Sequence, residues 1–192
     1  MYQNRNNELE IITLYTGDYP ARFYLRQISK LSKIPLKTCQ NTLLGLEKSN
    51  VLKSKIEGKN KYFYLNLDNL KTRSYLLQAE IYKTDIFLEK YPKIKLFLKS
   101  IKDNSFLVVF GSFADFTANK SSDLDLLVIQ GMEKKLPFHL LPFKVHQIIL
   151  TEKTFLESLN KHEKIMGEIQ KNHIILNNHS FYVNAVLNYN DR

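Results

Sequence analysis

Residues 105–129 read SFLVVFGSFADFTANKSSDLDLLVI, and this stretch decides the fold class of the C-terminal half of the chain. Its two ends, 105–110 and 124–129, are nearly continuous apolar runs of strand length, which indicates strands buried on both faces of a sheet. Gly111 and Ser112 follow the first run, and Asp123-Leu124-Asp125 leads into the second. Since alternate residues of a strand project from the same face, we expect both aspartate carboxylates on one side of the sheet.

The Gly-Ser turn and the aspartate pair together suit a phosphorylated ligand. Gly111 leaves room for a phosphate to approach the backbone, and Ser112 offers a hydroxyl beside the amides of a helix N-terminus, which favour anions. Two neighbouring carboxylates can hold Mg²⁺, which in turn binds triphosphate oxygens. The alternative is an accidental turn and a solvated carboxylate pair. It is disfavoured because an apolar strand has little other use for Asp123 and Asp125.

These residues resemble the nucleotidyltransferase superfamily that includes DNA polymerase beta, and within it the minimal nucleotidyltransferases of prokaryotes. Members carry Gly-Ser followed at a similar distance by Asp-x-Asp, and here ten residues separate Ser112 from Asp123. The resemblance covers roughly residues 95–185. It implies a mixed sheet, nucleotide binding at Gly111 and Ser112, and a metal, Mg²⁺ or alternatively Mn²⁺, held by Asp123 and Asp125. It also implies transfer of a nucleoside monophosphate from a nucleoside triphosphate to a hydroxyl acceptor.

Two positions depart from the pattern of that family. The Gly-Ser motif often continues with Ala-Arg-Gly, whereas Asp115 follows Ala114 here, so a positive group near the phosphates is lost. The family's third carboxylate would fall on the next strand, residues 144–150, where the matching position holds His146. A neutral imidazole can act as a base or a weak metal ligand, but it adds no negative charge. His146 is therefore a candidate third catalytic residue, with a hydrogen-bonded core histidine as the alternative, and enzyme activity is favoured without being settled.

The N-terminal residues predict three helices followed by a hairpin. Apolar residues recur at helical spacing from Leu9 to Tyr15, from Leu25 to Leu31 and, after Pro35, from Cys39 to Leu46. The pattern then alternates, and two strand-like runs flank a glycine-containing turn at residues 57–60. This order is that of a winged helix-turn-helix.

The third helix and the hairpin carry the candidate DNA contacts. In helix-turn-helix proteins the second helix of the pair enters the major groove, where Gln and Asn pair with adenine edges and Lys meets guanine or phosphate. Cys39, Leu43 and Leu46 are expected to face inward, with Leu44 a further candidate for the inner side. The DNA-binding candidates are Lys37, Thr38, Gln40, Asn41 and Lys48 on the helix, and Lys53, Lys55, Lys59 and Lys61 on the hairpin. A winged helix used for protein contact or dimerisation is the alternative.

Composition limits the class of protein. The chain has 192 residues, a net charge of +9 and a single cysteine, Cys39, so disulfides cannot stabilise it and a cytoplasmic location is expected. Since no apolar run suits a membrane span and the N-terminus lacks the apolar stretch of a signal peptide, we expect no membrane partner. Basic residues exceed acidic ones most strongly in the N-terminal part, which is compatible with a polyanionic partner.

Together these patterns predict an α+β protein in three segments. Residues 1–68 are expected to form a winged helix-turn-helix DNA-binding domain, residues 69–103 a helical connector broken at Tyr91-Pro92, and residues 104–192 a nucleotidyltransferase-type domain. Within the last segment, Thr151 is a candidate N-cap for a helix running towards Lys171, and the remainder is expected as short strand or loop. The whole arrangement resembles a group of archaeal proteins described as nucleotidyltransferase-domain regulators.

Two functions are open at this point. The first is an enzyme that binds a nucleoside triphosphate and double-stranded DNA. The second is a catalytically inactive transcriptional regulator that uses the same fold to sense a nucleotide or to form a homodimer, and a dimer would bind two half-sites about one DNA turn apart. A third possibility is an antitoxin-like role with a small helical toxin as partner, which the fused winged helix disfavours.

Overall fold

The structure, a computed structural model, describes residues 6–101, 105–129, 136–161 and 163–190. It divides into two compact units between Ala79 and Glu80. The division falls within a single helix, α4 (Leu70–Lys90). From the sequence we expected this helix to belong to a separate connector, residues 69–103. The three-segment division of the chain therefore stays a prediction, and each unit is described by itself.

The first unit contains three short helices and a three-stranded antiparallel sheet. The helices are α1 (Asn7–Thr13), α2 (Leu25–Ser32) and α3 (Leu36–Lys48). The strands are β1 (Phe23–Tyr24), β2 (Leu52–Glu57) and β3 (Asn60–Leu65), in the order β1-β3-β2. The helices and the hairpin lie where the periodicity predicted them. The short β1 was not predicted, because two residues cannot show an alternating pattern.

Local chemistry explains the helix ends of this unit. Asn6 begins α1 by accepting hydrogen bonds at its side-chain oxygen from the amides of Glu8 (3.1 Å) and Leu9 (3.2 Å). Lys33 ends α2 in the left-handed region, with φ of 56°. Pro35 precedes α3, and its fixed φ suits a helix start.

The inner face of α3 is narrower than the sequence suggested. Cys39, Leu43 and Leu46 are buried as expected. Leu44 is 49% exposed, so its provisional place on the inner side was wrong. An α-helix has 3.6 residues per turn, so the side chain of the residue directly after the buried Leu43 points well away from the line of buried side chains.

The second unit is a four-stranded mixed sheet covered by helices. Its helices besides α4 are α5 (Ile94–Ser100), α6 (Gly111–Ala114), α7 (Glu152–Asn160), α8 (Lys164–Lys171) and α9 (His179–Asn190). Its strands are β4 (Phe106–Phe110), β5 (Leu124–Ile129), β6 (Val145–Leu150) and β7 (His173–Asn177). The strand order is β6-β5-β4-β7, with β5 and β6 parallel and the other pairs antiparallel.

The centre of this sheet is buried on both faces, as the apolar runs predicted. Phe106 to Val109 of β4 are all 2% exposed or less. On one face Phe106 packs against Phe155 of α7 and Phe181 of α9, with ring centroids 5.7 and 5.1 Å away. The expected break at Tyr91-Pro92 is also present, since it lies between α4 and α5.

Two expectations for the C-terminal residues were wrong. The helix that Thr151 caps ends at Asn160, and α8 is separate, although we expected one helix towards Lys171. Buried Leu159 and Met166 are seven residues apart, so the apolar spacing continues through the break and hides it. Residues 179–190 form α9 instead of strand or loop, because packing overrides the strand preference of its aromatic and β-branched residues.

Candidate functional site

The aspartate pair and the Gly-Ser turn meet at one end of β4 and β5. Asp125 is the second residue of β5, and it pairs in register with Phe110, the last residue of β4. Gly111 comes next and has φ of +65°. A Cβ added to Gly111 would lie 2.6 Å from the Asp125 Oδ2. Both the left-handed backbone and this close approach require glycine, so the turn and the carboxylate lie in direct contact.

The loop between the two motifs is held by its own hydrogen bonds. The Ser112 carbonyl accepts from the amides of Thr117 (2.9 Å) and Ala118 (3.0 Å), and this closes the four-residue helix α6. Lys90 of α4 donates to the carbonyl of Phe116 (2.8 Å) and lies over its ring. The loop therefore brings the chain back to Asp123, directly before β5, along a defined path.

Two side chains at the start of β6, those of His146 and of Lys144 immediately before the strand, face the two aspartates. Because β6 runs parallel to β5, His146 pairs in register with Asp125, and its Nδ1 lies 3.0 Å from the Asp125 Oδ1. Lys144, two residues earlier and thus on the same side, donates to the Asp123 Oδ2 at 2.9 Å. This hydrogen bond and the charge of Asp123 raise the pKa of the Lys144 ammonium. The His146 side chain is 65% exposed, so it is not a core histidine.

Lys144 is the site residue that the sequence reasoning missed. The sequence did contain a signal, because Lys144 and His146 are two apart on a strand and must share a face. The lysine places a positive group beside Asp123. Its side chain is 82% exposed, so the ion pair is weakly held and its partner can change.

The carboxylates suit a metal ion that a substrate helps to hold. Mg²⁺ binds through one or two carboxylates and completes its shell with water and substrate phosphates. Asp123 and Asp125 provide these carboxylates, with side chains 39% and 29% exposed. Among the described residues, no group of three His, Cys, Asp or Glu side chains suits a metal. The donor set therefore fits one ion completed by a bound triphosphate better than an ion held by protein alone.

A second cluster of charged side chains lies in the interior of the same unit. Glu80 and His173 are both fully buried, with His173 Nε2 2.8 Å from Glu80 Oε1, and Lys83 donates to Glu80 Oε2 at 2.9 Å. Burial by itself would raise the pKa of the Glu80 carboxyl, but the adjacent His173 and Lys83 outweigh it and lower the pKa to about 2. This cluster joins α4 to β7 and was not foreseen from the sequence.

The candidate DNA-binding residues fall into two groups. All five on α3 are exposed, as an outward-facing surface requires. On the hairpin, three lysines already pair with carboxylates and one, Lys59 at the turn, has no carboxylate of a described residue within 4.0 Å. The pairs are Lys53–Asp68 (2.9 Å), Lys55–Glu57 (3.5 Å) and Lys61–Glu47 (2.8 Å).

A groove of about 730 Å³ lies between α3 and the hairpin. From α3 it is lined by Gln40 and Leu44, and from β3 by Lys61; Lys59, in the turn before β3, also lines it. Gln40, Lys59 and Lys61 come from two separate predictions, one for the helix and one for the hairpin, whereas Leu44 was not among the predicted contacts. The fold brings them to one concave surface.

Comparison with known proteins adds one finding to this geometry. Residues 92–181 match the model of a family described as Polymerase beta, Nucleotidyltransferase. The match supports a nucleotidyltransferase domain in this part of the chain. It includes the Gly-Ser turn, the aspartate pair and β6. No curated protein and no solved structure matches the chain. In the part of the chain that the structure describes, no helix combines the length and apolar character needed to cross a membrane.

Proposed function

We propose that this protein binds a nucleoside triphosphate and a divalent metal ion at Asp123, Asp125 and the Gly111-Ser112 turn, and transfers a nucleoside monophosphate to a hydroxyl acceptor with release of pyrophosphate. The observation that carries the proposal is the contact between Gly111 and the Asp125 carboxylate. This contact places a backbone without a side chain next to an acidic group, so one phosphorylated ligand and its metal can reach both. The nucleotidyltransferase match over residues 92–181 supports the same reaction class.

Each residue of the site then has a definable task. A bound Mg²⁺ or Mn²⁺ ion would neutralise phosphate charge, which is a large part of catalysis in phosphoryl transfer. Asp123 and Asp125 hold that ion, and Ser112 binds phosphate through its hydroxyl and backbone. His146 can donate from Nδ1 to Asp125 and keep Nε2 free to accept the proton of the attacking hydroxyl. Lys144 can leave Asp123 for a phosphate oxygen once the metal binds.

The direct test is transfer of label from an α-phosphate-labelled nucleoside triphosphate. The protein is incubated with each of the four triphosphates, Mg²⁺ or Mn²⁺, and cell extract as a source of acceptors. We expect label transfer by the wild type, none by the Asp123→Asn, Asp125→Asn double variant, and normal transfer by Asp85→Asn. Asp85 is a matched control because it is an exposed aspartate of α4, in the same unit and outside the site. Transfer no greater than that of the double variant, in either metal, would exclude the enzyme.

A regulator without catalysis is the second candidate, and the contacts from β6 favour it. Both aspartates already have partners, Lys144 and His146, and no carboxylate occupies the third position. A site whose carboxylates are engaged in this way could bind a nucleotide without transferring it. Tight binding of a triphosphate, without transfer to any acceptor in either metal, is the result expected of this regulator.

We also propose that the first unit is a winged helix-turn-helix that binds double-stranded DNA. The order of three helices and a hairpin supports this fold, and the exposed polar face of α3 supports the function. Lys37 and Lys48 would contact phosphates, so Lys37→Ala, Lys48→Ala should weaken binding and lower the salt dependence by about two counterions. Fluorescence anisotropy over a salt series measures this. Lys153→Ala, on α7, is the control, and equal salt dependence in all three proteins would refute these contacts.

A further inference from the structure

The outward side of α3 has an apolar centre. Leu44 follows Gln40 by four residues and Asn41 by three, and precedes Lys48 by four, so these side chains are neighbours on one helix face. We call Lys37, Gln40, Asn41, Leu44 and Lys48 the outer face of α3. All of them are exposed, and Leu44 is 49% exposed. About half of this large apolar side chain stays in contact with water among polar neighbours, which points to contact with a partner.

The residue after Leu44 supports the same conclusion. Gly45 is exposed in the interior of α3, where glycine destabilises a helix relative to alanine. A Cβ added to Gly45 would have no atom within 4 Å, so the fold of this unit does not require glycine there. A glycine that the fold does not need leaves the helix backbone open to close approach by a partner.

The charge around the outer face selects the class of that partner. Lys37 and Lys48 lie towards its two ends, and Arg26 and Lys59 line the adjoining groove. Within the described ranges, none of these four has a carboxylate within 4.0 Å, and no acidic residue lines the groove. A surface with cations at its margins and an apolar centre is complementary to a polyanion that presents an apolar group between its phosphates.

We propose that the outer face of α3 recognises A·T base pairs in the major groove, with Leu44 against the C5-methyl group of a thymine and Gln40 or Asn41 paired with adenine. The inference rests on the proposed binding of DNA. The thymine methyl is the apolar group that the major groove offers, and Gln and Asn are suited to the adenine edge. The outer face carries no arginine for guanine and no carboxylate for cytosine, and its two lysines lie at its ends, away from the Gln40-Asn41-Leu44 centre. The lysines at its ends then contact phosphates.

The test starts from duplexes selected by the full-length protein from a randomised pool. In the selected site, each thymidine is replaced in turn by deoxyuridine, which pairs identically and lacks only the C5-methyl group. We expect A·T-rich sites, and a loss of affinity of about fourfold at the thymine that Leu44 contacts. The loss should vanish in Leu44→Ala and remain in Leu31→Ala, a control that shortens an exposed leucine of α2.

The outcomes separate this inference from the proposed DNA binding. Selection of G·C-rich sites, no effect of deoxyuridine, or an effect that persists in Leu44→Ala would overturn the inference and leave DNA binding intact. Failure of the wild type to enrich any duplex would overturn DNA binding and the inference with it. Because deoxyuridine changes the DNA alone, its effect is measured on unaltered protein.

Discussion

Replacement of Gly111 by alanine tests the contact on which the proposed catalytic site depends. The backbone at Gly111 has φ of +65°, where an alanine costs about 1–2 kcal/mol. The new Cβ would also lie 2.6 Å from Asp125 Oδ2, which must move by about 0.8 Å to reach the 3.4 Å of an ordinary contact. Turning the Asp125 side chain out of its rotamer costs about 1 kcal/mol more. We therefore expect Gly111→Ala to destabilise the second unit by about 2–3 kcal/mol.

The matched control is Gly58→Ala in the β2–β3 turn. Gly58 has φ of +61°, but an added Cβ meets no atom within 4 Å, so this variant carries the backbone strain alone. Hydrogen exchange measures the opening free energy of each unit separately, and Gly111→Ala should cost about 1 kcal/mol more than Gly58→Ala. In an Asp125→Ala background that excess should disappear, because the crowded carboxylate is gone.

Gly111→Ala should also impair function in the molecules that remain folded. A shift of about 0.8 Å in the Asp125 carboxylate would disturb the geometry in which it meets the metal and the phosphate, so Gly111→Ala should weaken label transfer and Mn²⁺ binding while remaining folded. Mn²⁺ binding is measured by electron paramagnetic resonance. An equal cost of Gly111→Ala in the presence and absence of the Asp125 carboxylate would refute the reasoning, as would retention of full activity.

Three further predictions concern other parts of the chain. Glu80→Gln should cost about 3–5 kcal/mol in urea unfolding because His173 and Lys83 lose the buried negative charge that faces both of them, whereas Glu157→Gln, at an exposed pair, should cost under about 1 kcal/mol. The pKa of the Glu80 carboxyl is about 2 in the folded protein, below its ordinary value of 4.5, so the charged carboxylate stabilises the fold above pH 4.5 and this contribution is lost as the pH falls towards 2. If the free energy of unfolding of Glu80→Gln depended on pH below 4.5 in the same way as that of the wild type, this would be contradicted. Lys144→Met should tighten Mn²⁺ binding, because Asp123 loses a competing cation, and an unchanged Kd would show that Lys144 does not compete. Gly45→Ala should raise the melting temperature yet weaken DNA binding, and a gain in both would argue against close backbone approach.

The sequence by itself determined the elements whose signal lies within a few residues. Apolar runs of strand length predicted β4 and β5, and alternation around a glycine turn predicted the hairpin. Helical spacing predicted α1, α2 and α3. The Gly-Ser and Asp-x-Asp motifs belong to this class as well, since each directly adjoins a strand and only ten residues separate Ser112 from Asp123.

Only the tertiary structure decided which distant side chains meet. His146 and Lys144 reach the aspartates because β6 lies parallel to β5 in one particular register, and a strand's own sequence does not state that register. Glu80 and His173 are 93 residues apart, and no local pattern links them. The break between α7 and α8 and the helical state of α9 were likewise set by packing. Periodicity and turn chemistry act over a few residues and can be read along the chain, whereas register and side-chain pairing depend on contacts that exist only after folding.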